Sequence, residues 1–305
     1  MQIFDALVYL VHMNYAQLLA SIKQTFIDQD NYFFDKHVPE FARDGKFLGD
    51  YFNQLAVEPL GDKPPRFYHT FSPFDVISNK APHYAVVFEA GEQLLNIEFD
   101  GYVSRRTAAM SAVVLQALGV SSLADKKVLL FGSGKIATES AKILASELML
   151  TSIDVITRSG DLTKIKAATA DSNLSISAGN TNNIGQYDVI IAHTQTVEPL
   201  FSNEQLANIK QGAFLASFIS STEHGEFPDE VYDSETANII TDWEQTLVGA
   251  KDLKRALDAG QFDKQDLIYL NDLFTSKTID QNKQYTVYRS TGTPIQNLAA
   301  LKLLV

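Results

Sequence analysis

Within residues 126–140, KKVLLFGSGKIATES, the sequence changes from a strand-like pattern to a helix-like one. The apolar run at 128–131 ends in a Gly-Ser-Gly triplet, and the residues that follow are typical of a helix. In a dinucleotide-binding turn the first glycine permits the tight turn, the second lets backbone N–H groups approach a pyrophosphate, and a small residue lets the helix pack against the strand. The unpaired N–H groups and positive dipole of the helix start then hold the phosphates. The predicted cofactor-binding residues here are Gly132, Ser133, Gly134, Lys135, Ile136 and Ala137.

Short apolar segments alternate with helix-like segments downstream of this turn. With the first strand at 128–131, strands are predicted at 152–157, 174–177, 188–192, 213–218 and 237–241, and helices at 136–149, 161–170 and 203–210. Parallel strands joined by helical crossovers form a doubly wound sheet that binds ligands at the carboxyl ends of its strands. We therefore predict an α/β protein with a Rossmann-type doubly wound parallel sheet.

The residues before 119 do not alternate in this way, and we predict a domain boundary at that point. Within 98–118 the pattern predicts a strand, a turn and a helix that starts at Arg105, whereas 62–67 is a Pro-rich turn. The chain ends in a strand, a Gly and Pro turn and a helix, which we expect to return to the first domain. The predicted domains are a discontinuous α+β domain, 1–118 with 285–305, and a dinucleotide-binding domain, 119–284.

The residues after the second strand bear on which nicotinamide cofactor would bind. An acid usually occupies this position and bonds the ribose hydroxyls of NAD, but here Thr157, Arg158 and Ser159 stand in its place. A guanidinium and two hydroxyls can bind a ribose phosphate, so we predict NADP(H) in preference to NAD(H), which remains possible. The alternative is that Arg158 is a solvated loop residue. Thr194, Gln195 and Thr196 follow the fourth strand, where a hydroxyl-rich segment can bond cofactor ribose or phosphate.

Composition excludes several other classes of protein. The chain has 305 residues, no cysteine and a formal net charge of −12. Disulfides and thiolate metal sites are therefore unavailable, and the charge disfavours nucleic acid and anionic membranes. The apolar start at 1–15 is too short for a membrane span and lacks a basic leader, so we expect a cytoplasmic protein. The histidines lack HxH or HExxH spacing, and we predict no metal site.

Three segments of the chain carry a recognisable combination of motifs: RTAA at 106–109, GSGKIA at 132–137 and RSTGT at 289–293. Together they resemble the ornithine cyclodeaminase/mu-crystallin family. The resemblance implies a two-domain homodimer that transfers a hydride between a nicotinamide cofactor and a small amino or imino acid. It also implies that the discontinuous domain supplies the substrate pocket and the dimer surface.

The resemblance further implies that Arg106 and Arg66 hold the substrate carboxylate. A guanidinium fork at a predicted helix start suits that role for Arg106. The alternatives are a surface ion pair for Arg106 and an exposed loop position for Arg66. Arg105 competes with Arg106, and only the motif match favours Arg106. By resemblance Ser290 and Gly292 come close to the nicotinamide, although a tight turn before the last helix would look the same.

The chain departs from the family at positions that usually carry catalysis. Val87 aligns with a lysine, Ser221 with an aspartate that mu-crystallin-type ketimine reductases replace by serine, and Asn297 with a second aspartate. Substitutes for the missing acid lie in the loop after the fifth strand, where His224 and Glu223 could exchange protons. The candidate catalytic residues are therefore His224, Glu223 and Ser221, although solvated loop residues would look the same. His69 is a further possibility.

Reduction of a preformed iminium tolerates the loss of proton-transfer groups better than cyclodeamination does, because the acceptor is already charged. We therefore predict an NADP(H)-dependent oxidoreductase acting on a small imino or amino acid, of the ketimine reductase or amino-acid dehydrogenase type. One alternative is a catalytically weakened NAD(P)(H)-binding protein of the same fold. The other is an ornithine cyclodeaminase-type lyase, which the departures disfavour.

Overall fold

The computed structural model describes residues 13–37, 40–43, 46–73, 82–196, 198–218 and 225–305. The α-helices are α1 (Tyr15–Ile27), α2 (Asp100–Ala117), α3 (Lys135–Glu147), α4 (Thr163–Ala168), α5 (Asn203–Leu206), α6 (Thr246–Gly249), α7 (Lys251–Asp258), α8 (Leu270–Thr275) and α9 (Pro294–Leu301). The strands are β1 (Phe33–His37), β2 (Glu40–Arg43), β3 (Lys46–Leu60), β4 (Lys63–Pro73), β5 (Tyr84–Glu89), β6 (Glu92–Glu98), β7 (Val128–Phe131), β8 (Ser152–Ile156), β9 (Ser175–Ala178), β10 (Val189–Ala192), β11 (Ala213–Ser217), β12 (Ala237–Thr241), β13 (Leu267–Tyr269) and β14 (Tyr285–Arg289).

The chain is mixed α/β and divides into two compact units. The first contains the described residues up to Thr107 together with Thr293–Val305, and the second is Ala108–Gly292. The sequence placed these boundaries after residue 118 and before residue 285. The difference at the second boundary comes from β14, because this strand pairs with β11 and β12 in the parallel sheet. It therefore lies in the second unit, whereas the sequence assigned it to the first domain.

The first unit is built on an antiparallel sheet in the order β1-β3-β4-β5-β6, with β2 paired to β3. Alternation along the strands separates two faces, as the pleat requires. Ala56, Tyr68 and Val87 are buried on one face. Phe67 and Phe88 are exposed on the other, where the register pairs them directly. Helix α9 contacts α1 and the strands β1, β3 and β4, so the end of the chain completes this core.

The second unit is built on an eight-stranded sheet in the order β13-β12-β14-β11-β10-β7-β8-β9, and the strand pairs are parallel. Its central strands β7, β10, β11, β12 and β14 are buried at every residue. Such strands read as continuous apolar runs because both faces of a parallel sheet are covered. The six strands predicted for this sheet are all present, with ends that differ by one residue at most. Strand β13 was not predicted.

Several helices differ in length from the prediction. Helix α4 has six residues and α5 has four, both shorter than expected. Helix α2 starts at Asp100 and not at Arg105. Within the described ranges, no helix has the length and apolarity needed to cross a bilayer.

Candidate functional site

The turn between β7 and α3 requires glycine at position 132. Gly132 has a φ of +110°, a conformation that side chains disfavour. A Cβ at this position would also press against the backbone carbonyl oxygen of His193. Ala137, the third residue of α3, is fully buried close to the same point. The small residues therefore allow the helix to start tightly against the strand.

The start of α3 is open to a ligand. Gly134 is its N-cap, in extended conformation and with no side-chain hydrogen bond to the first turn. A Cβ on Gly134 would meet no atom within 4 Å. The first turn of a helix carries N–H groups without intrahelical partners, and these attract anions. Lys135 is exposed and Ile136 is half-buried at the same helix start.

A cavity of about 760 Å³ lies beside this turn, at the carboxyl ends of β7, β8, β9 and β10. Among its lining residues are the predicted Gly132, Ser133, Thr157, Arg158, Ser159, Thr194, Gln195 and Thr196. The sequence did not identify the other lining residues, which are Phe131, Ile156, Gly179, Asn180, Thr181 and Leu200. The GNT segment directly after β9 was a usable signal, because polar residues at a strand's carboxyl end mark ligand sites in this class of sheet.

Strand β8 ends in a turn that presents Arg158 to solvent. The Thr157 hydroxyl donates to the Asp161 carbonyl oxygen at 3.2 Å, and the Asp161 N–H donates to Ser159 Oγ at 3.2 Å. The Asp161 carboxylate accepts from the Thr163 N–H at 2.8 Å, and bonding to Thr163 lowers its pKa. Asp161 is not part of the cavity lining, so the described lining contains no carboxylate.

Glu226 holds one wall of this cavity and was not identified from the sequence. Its carboxylate is fully buried. One oxygen accepts from the Thr194 N–H at 2.6 Å and the Thr194 hydroxyl at 2.8 Å. The other accepts from the Ser217 hydroxyl at 3.0 Å and the Phe218 N–H at 2.9 Å. Burial raises the pKa of Glu226, against the opposing effect of these hydrogen bonds. The Thr194 hydroxyl hydrogen is therefore committed to Glu226.

A second cavity, of about 650 Å³, lies in the same unit but suits a phosphate poorly. Its lining includes Glu198, Asp229 and Glu230. Its guanidinium, on Arg255, is bonded through two nitrogens to Asp229 at 2.8 Å. Three carboxylates against one paired cation repel anions, so we place no dinucleotide there.

Ser290 and Gly292 form the turn that follows β14. Ser290 is buried, and its hydroxyl donates to Asp242 Oδ2 at 2.5 Å. Ser290 Oγ accepts from the Gly292 N–H at 3.2 Å, and Gly292 has a φ of +73°. This arrangement matches a tight turn, the alternative reading of these residues. The candidate catalytic residues Ser221, Glu223 and His224 lie outside the described residues.

Arg106, in the first unit, is buried and bonded to two amide side chains. Its Nε donates to Asn297 Oδ1 at 2.9 Å and its Nη1 to Gln296 Oε1 at 2.5 Å. The expected position at a helix start is wrong, because α2 begins at Asp100 and the residue lies in its second turn. Arg105 has a different environment, with its guanidinium 5.5 Å from the centre of the Tyr15 ring.

Asn297 uses both ends of its amide. Its Nδ2 donates to Gln54 Oε1 at 2.7 Å and to Thr70 Oγ1 at 2.9 Å, while its oxygen accepts from Arg106. A carboxylate here could not donate to Gln54. This network therefore uses both the donor and the acceptor atoms of an amide at position 297.

Arg66 lies within β4 and is not in a loop after a Pro-rich turn. Its Nε donates to Glu89 Oε2 at 2.7 Å, and its Nη2 bonds the same oxygen. Glu58 lies 4.0 Å from Nη1. A hydrogen bond with Tyr68 and the pairing with Glu89 raise the pKa of Arg66 against the effect of burial. A substrate carboxylate at Arg66 would therefore compete with Glu89.

Two other predicted positions occupy opposite faces of this sheet. Val87 is fully buried and pairs with Tyr68 across the strands. His69 lies on the face that carries Phe67 and Phe88, the outer face of the sheet. Its Nε2 is 2.5 Å from Asn53 Oδ1, and burial lowers its pKa. Because His69 and Arg66 are three residues apart in one strand, their side chains point to opposite faces. Among the residues described, no group of three or more His, Asp or Glu side chains could hold a metal ion; the absence of a metal site stays a prediction.

Comparison with known proteins relates this chain to one family. The model of the ornithine cyclodeaminase/mu-crystallin family matches residues 87–305. No curated protein matches the chain by sequence.

Solved structures with the same fold are only distantly similar in sequence. A probable ornithine cyclodeaminase from Bordetella pertussis Tohama I has a TM-score of 0.82 at 20% identity, over 99% of this chain and 94% of that one. The Δ1-pyrroline-2-carboxylate reductase of Thermococcus litoralis, solved with NADH and L-proline, has a TM-score of 0.81 at 15% identity, over 99% and 96% of the two chains. The iminosuccinate reductase of Paracoccus denitrificans, solved with NAD⁺, has a TM-score of 0.79 at 18% identity, over 96% and 91%.

At these identities the solved structures establish the shared fold alone. The family model, in contrast, covers well over half of the chain and includes the turn at Gly132 and the helix that carries Arg106. The protein therefore belongs to the ornithine cyclodeaminase/mu-crystallin family.

Proposed function

We propose that this protein is an NADP(H)-dependent oxidoreductase that transfers a hydride to or from a small imino or amino acid. The observation that carries the proposal is the cavity beside Gly132, whose described lining has an arginine and hydroxyl groups but no carboxylate. The similar structures that contain NADH or NAD⁺ support a nicotinamide cofactor of this general kind. The preference for the phosphorylated form rests on this chain's own residues.

Each part of the cavity has a role in this proposal. The open helix start at Gly134 would hold the pyrophosphate through backbone N–H groups. Thr157, Arg158 and Ser159 would hold the ribose phosphate, since a charge-assisted hydrogen bond from a guanidinium is among the stronger contacts to phosphate. The cofactor supplies the hydride chemistry, and the protein supplies binding and orientation. We assign the dinucleotide to the second unit and the substrate carboxylate to the first.

The cofactor preference can be tested by titration of the purified protein with NADPH and NADH. We expect Arg158→Ala to weaken NADPH binding by about 10- to 100-fold, the equivalent of roughly 1.5–3 kcal/mol for a charged hydrogen bond, and to leave NADH binding within about twofold. Lys166→Ala, an exposed cation on α4 outside the cavity lining, is the matched control. Equal losses for both cofactors, or tighter binding of NADH by the unaltered protein, would contradict the preference for NADP(H).

The substrate class rests on Arg106, which we propose as the anchor for a carboxylate. A buried guanidinium held by amide oxygens keeps its charge while its position is fixed. The test is oxidation of NADPH and NADH with a panel of cyclic ketimines, and of 2-oxo acids supplied with ammonia or amines. Arg106→Lys keeps the charge but loses the fork, and we expect it to raise the KM by at least about tenfold. Arg105→Ala is the control, and an equal effect of both substitutions would refute the role of Arg106.

A second candidate function is a dinucleotide-binding protein with weakened catalysis. Val87 favours it, because the strand position that resembles the family lysine is fully buried and apolar here. Cofactor binding without turnover across the panel would support this candidate. Release of ammonia together with a cyclic imino-acid product would instead identify a cyclodeaminase, the third possibility.

We further propose that the protein forms a homodimer through the outer face of the antiparallel sheet. The register places Phe33, Val57, Phe67 and Phe88 in one row across β1, β3, β4 and β5. The three phenylalanines are 62%, 40% and 37% exposed. Contiguous apolar surface on a sheet face is typical of a protein interface.

A further inference from the structure

His193 follows β10 directly, and its ring packs against one aromatic side chain that a second aromatic side chain supports. Its ring packs against Phe218, which follows β11, with the ring centres 4.6 Å apart and the planes 30° apart. Phe218 meets the Tyr288 ring edge-on at 5.6 Å. The orientation of the imidazole is therefore set by packing between adjacent strands.

Both ring nitrogens of His193 are buried and lack a hydrogen-bond partner in the part of the chain that the structure describes. The residue as a whole is only partly buried, but the nitrogens are not exposed. Burial lowers the pKa of His193 to about 3, so the imidazole is neutral at physiological pH. A neutral imidazole has one N–H donor and one acceptor nitrogen. Buried polar atoms without partners are uncommon in native proteins, and an ordered water or a bound group can satisfy them.

The location of His193 relates it to the dinucleotide cavity. Its carbonyl oxygen lies against Gly132, its N–H donates to the Phe131 carbonyl oxygen at 3.0 Å, and the next residue, Thr194, lines the cavity. In a doubly wound sheet a dinucleotide lies across the carboxyl ends of the strands. With the proposed placement of the ribose phosphate near Arg158, in the turn after β8, and of the pyrophosphate at the turn after β7, the other half of the dinucleotide would extend toward β10 and β11.

We propose that a ring nitrogen of His193 hydrogen-bonds the carboxamide of the nicotinamide. A carboxamide carries an NH₂ donor and a carbonyl acceptor, so a neutral imidazole can pair with it in either tautomer. The contact would fix the rotation of the nicotinamide ring, and with it the face from which hydride is transferred. This inference rests on the proposed dinucleotide binding and assigns His193 to its nicotinamide half.

The test compares two ligands that differ only in that half. NADPH carries the nicotinamide, whereas 2′-phospho-ADP-ribose lacks it. We expect His193→Phe, which keeps an aromatic ring against Phe218 but removes both nitrogens, to weaken NADPH binding about tenfold and to change binding of the fragment by less than about twofold. The melting temperature of the ligand-free protein should rise, because two unsatisfied buried nitrogens are removed. His37→Phe, at an exposed position of β1 in the first unit, is the control and should leave both affinities unchanged.

The outcomes separate this inference from the proposed function. If the unaltered protein binds neither ligand, the proposed function fails. If it binds both and His193→Phe leaves NADPH affinity unchanged, or weakens both ligands equally, the assignment of His193 is wrong. Should the variant not fold, ¹⁵N NMR of the unaltered protein decides: the His193 ring nitrogens must shift with NADPH and not with the fragment, and equal responses would refute the contact.

Discussion

Glu226 is the residue on which the cavity wall depends most directly. A glutamine at this position has one oxygen and one NH₂ group, so either the Thr194 N–H or the Phe218 N–H would face another donor. We expect Glu226→Gln to lower the free energy of unfolding by about 1–3 kcal/mol, the usual cost of an unsatisfied buried donor. Because Thr194 lines the cavity, NADPH binding should also weaken by about tenfold. Urea denaturation and NADPH titration measure the two effects.

The control for Glu226 is Glu230→Gln, a neighbouring exposed carboxylate, which should change neither quantity. Loss of stability without any loss of NADPH affinity would show that Glu226 supports the fold but does not position the cavity wall.

A substitution at Asn297 tests the effect of a negative charge beside Arg106. Asn297→Asp would place a carboxylate 2.9 Å from the Arg106 Nε and would remove the donors to Gln54 and Thr70. The new ion pair competes with any carboxylate that binds Arg106, so we expect the affinity for a carboxylate substrate to fall by about tenfold, or roughly 1.4 kcal/mol. Substrate titration at saturating cofactor measures this. Asn297→Ser, which adds no charge, is the control, and a loss of the same size in both variants would exclude the charge argument.

The turn between β7 and α3 provides a matched pair of glycines within one element. We expect Gly132→Ala to destabilise the protein by about 1–3 kcal/mol, because it combines a φ of +110° with a Cβ pressed against the His193 carbonyl. Gly134→Ala meets no atom and has an extended backbone, so it should cost less than about 1 kcal/mol. Its methyl group would nevertheless occupy the space that phosphates need, and NADPH affinity should fall more than tenfold. Thermal unfolding and NADPH titration of both variants distinguish a glycine that the fold requires from one that cofactor binding requires. Unchanged NADPH affinity in Gly134→Ala would place the phosphates elsewhere.

A substitution on the outer face of the antiparallel sheet tests whether this face forms the dimer interface. Phe67→Glu places a charge in the middle of the row formed by Phe33, Val57, Phe67 and Phe88. A buried unpaired carboxylate is costly, so we expect a shift from dimer to monomer, measured by analytical ultracentrifugation across a concentration series. Val248→Glu, at an 82% exposed position on α6, is the control and should leave the association unchanged. A dimer that survives Phe67→Glu would place the interface on another surface.

Across the whole molecule, the parts of the fold that could be predicted are those with local signals. Strands such as VLLF and AFLAS are buried on both faces, so their apolar runs identify them without any knowledge of their neighbours. The cavity residues at Gly132, Thr157 and Thr194 were predictable because each lies within two residues of the carboxyl end of a predicted strand. The NADP(H) preference and the dimer stay predictions.

The parts that could not be predicted depend on contacts between distant segments. The position of β14 between β11 and β12 is set by pairing over tens of residues, and its proximity in sequence to α9 suggested the first domain instead. The Asp100-Gly101 pair signals a turn, yet α2 begins there. Arg106 therefore lies in the second turn of the helix and not at its start. Glu226 has no sequence signal, because its role exists only when Thr194, Ser217 and Phe218 surround it.

The division into two units predicts how ligands should protect the whole chain from hydrogen exchange. Ligand binding slows exchange where local opening exposes the site. We expect NADPH to protect amides in the second unit, at Gly132–Ala137, Thr157–Gly160 and Thr194–Thr196. A small carboxylate such as pyrrole-2-carboxylate should instead protect the first unit around Arg106 and Asn297.

Hydrogen exchange with mass spectrometry, on the intact protein with each ligand alone, makes both measurements. The Arg158→Ala variant should be measured at an NADPH concentration below its raised Kd for NADPH. Under that condition it should lose the protection of the second unit by NADPH but keep the protection of the first unit by the carboxylate. Arg106→Lys should show the reverse pattern. If NADPH protects β4 and β5 and not the turn after β7, the dinucleotide does not occupy the cavity beside Gly132, and the assignment of cofactor and substrate to separate units is wrong.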